Sequence, residues 1–296
     1  MNTISRKHFD VLVEATKGKL PTQRALAEKL SCSVGKVNKT ISELTDSGYI
    51  ENGKITDSGL TALEPYRARR AVFLAAGFGS RLVPITLNTP KPLVRVNGKR
   101  IIDGLIDAVI AAGIEEIYVV RGYLADQFDQ LLYKYPMIKF IENPVYNESN
   151  NISSAMCARF LLQNAYVFEA DLLIYDPSLI TKYQYTTNIL GFKTARSDDW
   201  CFTVKDGIIT EQKIGGVDCY QMIGIWYING EDGKKMSVHI KESYEMPGGK
   251  ERFWDRVAFE YFKDEYKIEL RECAEGSIVE IDTFNELKAI DRTYDV

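Results

Sequence analysis

The hydrophobic pattern after residue 70 alternates between short apolar runs and longer segments with helical spacing. Apolar runs at 71–77 (AVFLAAG) and 165–171 (AYVFEAD) predict buried strands, whereas IIDGLIDAVIAAG at 101–113 predicts a helix. This alternation is typical of a parallel sheet with helices on both faces. Four shorter strand-like segments within 188–228 favour hairpins. The sequence therefore predicts an α/β domain with a mixed central sheet.

The first part of the chain has short amphipathic segments separated by polar turns. Phe9 and Leu12 mark a first predicted helix, TQRALAEKL at 22–30 predicts a second, and Ser33 is expected to cap a third. The segment GYIENGKITDSG at 48–59 then predicts a short β-hairpin. This order of helices and hairpin resembles the small winged helix-turn-helix domains of bacteria.

Charge and composition divide the chain into two predicted domains, 1–66 and 71–296, because EPYRARR at 64–70 combines a helix-breaking proline with three arginines. Up to residue 64 the first domain carries 9 Lys/Arg and 8 Asp/Glu, whereas a dedicated DNA-binding domain has a strongly basic face. A regulatory or dimerising appendage is therefore the favoured interpretation, and DNA as a partner is the alternative. The oligomeric state is left open.

The residue inventory excludes several classes of protein. The start of the chain, MNTISRKHFD, has no apolar core of signal-peptide length, and no run is long enough for a membrane helix, which predicts a cytoplasmic protein without a membrane partner. The 5 cysteines are dispersed and form no C-x-x-C pair. His8 and His239 are the only histidines, so a site built on several histidines is excluded. Any metal must bind oxygen ligands, which favours Mg²⁺.

The most informative motif is LAAGFGSRLVPITLNTPKPLV at 74–94. Gly77 and Gly79 allow the backbone N–H groups to approach phosphate oxygens closely. Arg81 and Lys91 add positive charge, which predicts that they hold a triphosphate during attack on its α-phosphate. The spacing matches neither the dinucleotide-binding G-x-G-x-x-G motif nor the Walker motif.

Two carboxylates follow predicted strands. Asp171 ends AYVFEAD and Asp282 ends SIVEID, so both are expected at the carboxyl edge of one sheet, where they could bind one or two Mg²⁺ ions. Glu169 alternates with Asp171 along its strand and is a minor candidate for the same site.

The signature L-A-A-G-x-G-S-R-L-x-P-x-T, followed by P-K-P-L, resembles that of the sugar-phosphate nucleotidyltransferase superfamily. Further matches at 119–128 (VVRGYLADQF), 146–155 (YNESNNISSA) and 253–262 (FWDRVAFEYF) resemble bacterial CTP:phosphocholine cytidylyltransferases. The resemblance extends over about residues 71–294. It is weaker in the segment IGGVDCYQM, so the acceptor pocket is less well defined than the nucleotide pocket.

This resemblance implies a Rossmann-like domain that transfers CMP from CTP to phosphocholine, giving CDP-choline and pyrophosphate. It also implies that Asp171 and Asp282 hold Mg²⁺ and that Arg81 and Lys91 are catalytic. The nucleotide-binding residues expected from the motif and the resemblance are Ala75, Ala76, Gly77, Gly79, Ser80, Tyr123, Asn150 and Asn151. Because the acceptor phosphate is largely dianionic at neutral pH, the reaction requires no protein base.

The only tryptophans, Trp200, Trp226 and Trp254, all lie in the second half of the predicted catalytic domain. Their rings could bind the trimethylammonium group of phosphocholine, or they could fill the core. Trp226 lies within an apolar strand and is the strongest candidate for a core residue. Trp200 and Trp254 lie beside aspartates and are the better candidates for a choline surface.

Two alternative functions remain open from the sequence. A cytidylyltransferase for 2-aminoethylphosphonate or phosphoethanolamine, or a sugar-1-phosphate nucleotidyltransferase, would keep the nucleotide site and change only the acceptor pocket. A transcriptional regulator that senses a nucleotide or a choline metabolite belongs to another class. The presence of both cations and both aspartates disfavours the regulator, because a sensor has no need of metal-binding carboxylates.

Overall fold

The computed structural model describes residues 4–295, and the chain forms two compact units, residues 1–67 and 68–296. The N-terminal unit consists of α1 (Arg6–Ala15), α2 (Gln23–Lys29), α3 (Val34–Asp46), β1 (Ile50–Glu51), β2 (Lys54–Ile55) and α4 (Asp57–Leu63). The predicted helices and hairpin are present, and β1 pairs with β2 in antiparallel register. Ser33 caps α3, since its hydroxyl accepts a hydrogen bond from the backbone N–H of Lys36.

The C-terminal unit contains a seven-stranded mixed sheet with strand order β10-β12-β11-β8-β3-β6-β7. Its elements are β3 (Arg70–Leu74), β4 (Arg95–Val96), β5 (Lys99–Arg100), α5 (Ile101–Ala111), β6 (Glu116–Arg121), β7 (Ile138–Glu142), α6 (Ile152–Ala158), β8 (Ala165–Glu169), β9 (Leu172–Ile174), β10 (Asn188–Lys205), β11 (Ile208–Ile228), α7 (Gly230–Glu245), β12 (Glu269–Glu272), β13 (Ile278–Glu280) and α8 (Phe284–Ile290). Strand β3 runs parallel to β6 and β8, whereas β11 is antiparallel to β8. The prediction of a mixed sheet is confirmed.

Helices cover both faces of this sheet. Phe73 of β3 lies in the core that includes α5, and its ring stacks on Phe168 of β8 with centroids 4.7 Å apart. Val72 points to the opposite face, because side chains alternate along a strand, and packs with Ala158 of α6. Among the helices of the described residues, none has the length and apolarity needed to cross a membrane.

Two parts of this unit differ from the sequence-based prediction. Residues 188–228 form two long antiparallel strands rather than four short ones. Irregularities such as the register shift between Ser197 and Trp200 bend the strands without ending them. Strand β13 pairs with β9 in a separate two-stranded sheet, so it does not belong to the central sheet.

Candidate active site

The glycine-rich segment after β3 turns sharply and packs against Lys91. Gly79 has φ +61°, a left-handed conformation that favours glycine, and a Cβ there would lie 2.9 Å from the Cβ of Lys91. Thr86 holds the turn, because its hydroxyl donates a hydrogen bond of 2.9 Å to the Gly79 carbonyl. The glycine of the motif therefore allows close contact between the loop and a buried lysine.

A cavity of about 710 Å³ opens beside this loop and brings together most of the predicted site residues. Those that line it are Ala75, Ala76, Gly77, Gly79, Ser80, Arg81, Lys91, Asn150, Asn151, Asp171, Trp200 and Asp282. Tyr123 is not among the lining residues, but its ring packs on the cavity-lining Phe78 with centroids 4.8 Å apart. The cavity has the size of a typical small-molecule site.

Both predicted cations are paired with the predicted metal-binding aspartates. The Nζ of Lys91 lies 2.7 Å from Asp171 Oδ2 and 3.3 Å from Asp282 Oδ1. Arg81 donates two hydrogen bonds to Asp282, at 2.9 and 2.6 Å. Burial alone would lower the pKa of Lys91, but the Asp171 and Asp282 carboxylates outweigh burial and raise it. Lys91 is therefore held as a cation at the floor of the cavity.

Three carboxylates form a cluster beside Lys91. One oxygen each from Glu169, Asp171 and Glu280 lies within 4.8 Å of the others. Burial raises the pKa of Glu169 and of Glu280, and the neighbouring carboxylates raise both further. Asp171 Oδ1 is buried without a hydrogen-bond partner among the described residues. Crowding therefore disfavours ionisation of these carboxyls, and a bound cation would favour it.

The sequence prediction did not include Glu280 and named Glu169 only as a minor candidate, whereas the structure places both beside Asp171. A signal was present, because E-A-D at 169–171 and E-I-D at 280–282 repeat the same spacing of two carboxylates. The prediction that Asp171 and Asp282 lie at the carboxyl edge of one sheet is also corrected. Asp171 follows a strand of the central sheet, whereas Asp282 follows β13, and the backbone N–H of Ile281 donates to the Asp171 carbonyl at 3.2 Å. Antiparallel pairing, rather than a shared sheet edge, places the two carboxylates together.

The two asparagines predicted to bind nucleotide also connect two segments of the chain. Asn150 Nδ2 donates to the Glu251 carbonyl at 3.2 Å, and Asn151 Oδ1 accepts a hydrogen bond from the backbone N–H of Trp254 at 2.9 Å. These bonds hold the loop before α6 against residues 250–254. Both residues still line the cavity.

Trp226 and Trp254 are core residues. This agrees with the core interpretation that the sequence favoured for Trp226 over choline binding, and it corrects the expectation that Trp254 forms part of a choline surface. Each is only 1% exposed, and their rings pack at 5.1 Å together with Phe259 and Met236. Rings so fully enclosed have no face for a substrate. The aspartate beside Trp254 in sequence does line the cavity, but the indole itself points into the core.

Trp200 does line the cavity, and its ring meets Phe253 edge to face with centroids 6.0 Å apart. Asp199 and the buried Asp255 line the same cavity. Gln212 Nε2 donates a hydrogen bond of 2.5 Å to Asp255 Oδ2, which fixes that carboxylate. Burial raises the pKa of Asp255, and the hydrogen bonds it accepts oppose this effect. Aromatic and acidic groups thus share one wall.

A second cavity of about 320 Å³ adjoins the first and shares Asp199, Met222, Glu280 and Asp282 with it. Glu275 and Glu286 also line this second cavity, which makes its wall strongly acidic. The cations of the phosphate-binding loop are not among its lining residues. Arg81 and Lys91, each paired with an aspartate, therefore line only the first cavity, and the combined space has an acidic end around and beyond Asp199.

Comparison with known proteins gives consistent matches. Residues 70–206 match the nucleotidyl transferase family. The chain is 36% identical to the 2-aminoethylphosphonate cytidylyltransferase of Lancefieldella rimae over 228 residues, which cover 76% of this chain and 92% of that protein. It is 29% identical to the choline-phosphate cytidylyltransferase of Streptococcus pneumoniae over 227 residues, covering 75% of this chain and 96% of that protein.

A solved structure of the CTP:phosphocholine cytidylyltransferase from Streptococcus pneumoniae is similar, with a TM-score of 0.70 and 26% identity. The similarity covers 77% of this chain and 99% of that one. The family match includes the glycine-rich loop, both cations and Asp171, which are the groups that meet in the cavity. This chain accordingly belongs to the nucleotidyl transferase family and is a nucleotidyltransferase.

Proposed function

We propose that the protein is a Mg²⁺-dependent cytidylyltransferase that transfers CMP from CTP to a small acceptor carrying both a phosphonate or phosphate and an amine. The observation that carries this proposal is the single cavity in which a glycine-rich loop, two cations and a carboxylate cluster meet. Two relatives with cytidylyltransferase names support cytidine as the base. The acceptors in both names carry a cationic nitrogen, a primary amine in one and a quaternary ammonium in the other.

The donor set around Asp171 suits Mg²⁺, because it consists entirely of oxygen ligands. Asp171 Oδ1 is buried and unpartnered among the described residues, and Glu169 and Glu280 lie close enough to act with it. We propose that these three residues, with the adjoining Asp282, hold the ion. Bound there, Mg²⁺ supplies positive charge that stabilises the triphosphate and the departing pyrophosphate.

The chain's own groups then position the two substrates. Gly77 and Gly79 bring backbone N–H groups to the phosphates, and Lys91 and Arg81 compensate their charge. An acceptor oxygen forms a bond to the α-phosphorus while the bond from that phosphorus to the bridging oxygen breaks, so pyrophosphate leaves with that oxygen. A dianionic acceptor is already nucleophilic and needs no protein base. The positions of the histidines agree with this, because His8 lies in the N-terminal unit and His239 does not line the cavity.

The acidic end of the site favours a primary amine as the acceptor's cation. An ammonium group donates hydrogen bonds, and Asp199 and Asp255 offer carboxylate acceptors beside the cavity. On the wall that carries these aspartates the aromatic rings are Trp200 and Phe253, since Trp226 and Trp254 are in the core. We therefore place 2-aminoethylphosphonate first. Phosphocholine is the second candidate, favoured by the cavity-lining ring of Trp200.

Pyrophosphate release tests this proposal directly. The full-length protein would be assayed with each of four nucleoside triphosphates against 2-aminoethylphosphonate, phosphocholine, phosphoethanolamine and glucose 1-phosphate, with Mg²⁺ or with EDTA. We expect turnover with CTP and an amine acceptor, and only with Mg²⁺. Faster turnover with glucose 1-phosphate, or with a purine nucleotide, would reject the proposed substrates.

For the N-terminal unit we propose a winged helix-turn-helix fold that serves as a regulatory or dimerising appendage. Its acidic residues neutralise part of the basic charge, since Glu14 pairs with Lys17 and Lys29 at 2.7 Å each and Glu43 pairs with His8 at 3.0 Å. Deleting residues 1–66 should leave CMP transfer largely intact. Sequence-selective binding of the full-length protein to DNA in a gel-shift assay would favour a DNA-binding role instead.

A further inference from the structure

Phe78 is a large apolar residue that is 46% exposed and lines the nucleotide cavity. It stands between Gly77 and Gly79 in the phosphate-binding loop, a position that phosphate binding alone does not explain. An exposed aromatic ring costs free energy unless a ligand covers it. The ring is thus available to a ligand at the part of the cavity where the loop begins.

Two tyrosines pack against this ring, and one of them, Tyr146, also lines the cavity. Tyr123 packs on Phe78 with centroids 4.8 Å apart and an interplanar angle of 43°, and Tyr146 packs on it at 5.4 Å and 53°. The Tyr123 hydroxyl is fixed by a hydrogen bond of 2.9 Å to the Thr86 carbonyl. Tyr146 is fixed by contact with Gly122, where a Cβ would lie 2.7 Å from the tyrosine side chain. Phe78 therefore rests on an ordered aromatic support.

The chain also places this ring near the phosphate-binding groups. Ser80 and Arg81 follow within three residues and line the same cavity. A ligand whose phosphates contact the loop and Arg81 would bring a planar group at its other end toward Phe78. Asn150 and Ser149 add polar groups to the same cavity, as the edge of a base requires.

We propose that Phe78, supported by Tyr123 and Tyr146, is the stacking surface for the nucleobase of the bound nucleotide. The proposal rests on the proposed function, because it takes a nucleoside triphosphate as the donor. Aromatic stacking on a base is sequence-tolerant, so Phe78 contributes affinity, and the polar groups of the cavity select cytosine. Phe78 is thereby a positioning residue for the donor.

The test compares a ligand that has a base with one that lacks it. Phe78→Leu keeps an apolar side chain but removes the ring, and should weaken CTP binding by about fivefold to about a hundredfold in calorimetry. Binding of inorganic triphosphate should stay within about twofold of wild type, because it has no base to stack. Phe78→Trp keeps a ring face and should restore most of the CTP affinity.

Phe160→Leu provides a matched control. Phe160 is 65% exposed, pairs with Arg159 in a cation–π contact of 4.1 Å and does not line the cavity. This variant should bind both ligands as the wild type does. Equal loss of CTP and inorganic triphosphate in Phe78→Leu would overturn the proposal, since it would indicate a distorted phosphate-binding loop. Unchanged CTP affinity would overturn it as well.

The same measurements separate this inference from the proposed function. If the wild type prefers UTP or ATP, the cytidylyltransferase assignment fails. The stacking proposal then still predicts that Phe78→Leu weakens that preferred nucleotide and spares inorganic triphosphate. If CTP is preferred and Phe78→Leu raises the KM of the amine acceptor alone, the stacking proposal fails and the cytidylyltransferase assignment stands.

Discussion

Arg81 and Asp282 form a two-pronged ion pair, with Nη1 to Oδ2 at 2.9 Å and Nη2 to Oδ1 at 2.6 Å. The cation expected to hold the triphosphate is thus bound to a carboxylate expected to help hold the metal. A triphosphate that takes Arg81 from Asp282 frees a carboxylate oxygen for Mg²⁺. Nucleotide and metal should therefore strengthen one another's binding through this pair.

Asp282→Asn should separate the effect of this ion pair on CTP binding from its effect on Mg²⁺-dependent turnover. Without metal, CTP should bind about two- to fivefold more tightly, because Arg81 is 65% exposed and such pairs contribute up to about 1 kcal/mol. With Mg²⁺, turnover should fall at least about tenfold, because a carboxylate beside the metal is lost. Calorimetry in EDTA and pyrophosphate release in Mg²⁺ measure the two quantities.

Asp126→Asn removes the same charge at an exposed position outside the cavity lining and is the control for net charge. It should change neither quantity. If CTP binds more weakly to Asp282→Asn than to the wild type in the absence of metal, Asp282 orients Arg81 and does not compete with the triphosphate for it.

Gly79→Ala should destabilise the protein, whereas Gly77→Ala should not. A Cβ at Gly79 would lie 2.9 Å from Lys91 Cβ on a backbone with φ +61°, but a Cβ at Gly77 would meet nothing within 4 Å. We expect Gly79→Ala to lower the free energy of unfolding by about 2–4 kcal/mol. Gly77→Ala should stay within about 0.5 kcal/mol of the wild type and weaken CTP binding instead. Urea denaturation and calorimetry on both variants check this contrast.

Replacing Trp254 should reduce stability, whereas replacing Trp200 should weaken acceptor binding. Trp254→Leu removes a fully buried ring that packs on Trp226, and should lower the free energy of unfolding by about 2–4 kcal/mol. Trp200→Leu should leave stability nearly unchanged and raise the KM of the amine acceptor several-fold, with the KM of CTP constant. A stable Trp254→Leu variant with weakened acceptor binding would contradict the core assignment.

The glycine-rich loop and its cations could be predicted from the sequence because their chemistry is local. Gly79, Arg81 and Lys91 lie within thirteen residues, so backbone freedom and charge are visible in one motif. Asp171 could likewise be placed, since it directly follows a predicted strand of the central sheet. All four residues line the same cavity.

Long-range packing could not be predicted in the same way. Glu280 reaches the site only because β13 pairs with β9, and no local pattern specifies that pairing. Trp254 precedes Asp255 in the sequence, which suggests that both face the site. In the structure only Asp255 lines the cavity, whereas the ring of Trp254 is buried. Exposure of Phe78 depends likewise on where Tyr123 and Tyr146 pack.

His239 should make stability depend on pH. Its ring stacks on Phe262 with centroids 3.9 Å apart, and its Nδ1 lies 2.8 Å from the Tyr266 hydroxyl. Burial lowers the pKa of His239 below 6.5; the nearby Glu242 and Glu265 oppose this effect, and Lys235 adds to it. The folded protein therefore binds this proton more weakly than the unfolded chain, so the contribution is complete above about pH 6.5 and is lost as the pH falls through the lower folded pKa.

His239→Phe keeps a ring against Phe262 but cannot titrate, so it isolates this contribution to stability. We expect the free energy of unfolding of the wild type, relative to His239→Phe, to decrease as the pH falls from 7.5 to about 5. Other titrating groups are common to both proteins and largely cancel in the difference. Urea denaturation followed by tryptophan fluorescence reports on the C-terminal unit, because all three tryptophans and His239 lie in it. A difference that stays constant or grows on acidification would contradict a lowered pKa for His239.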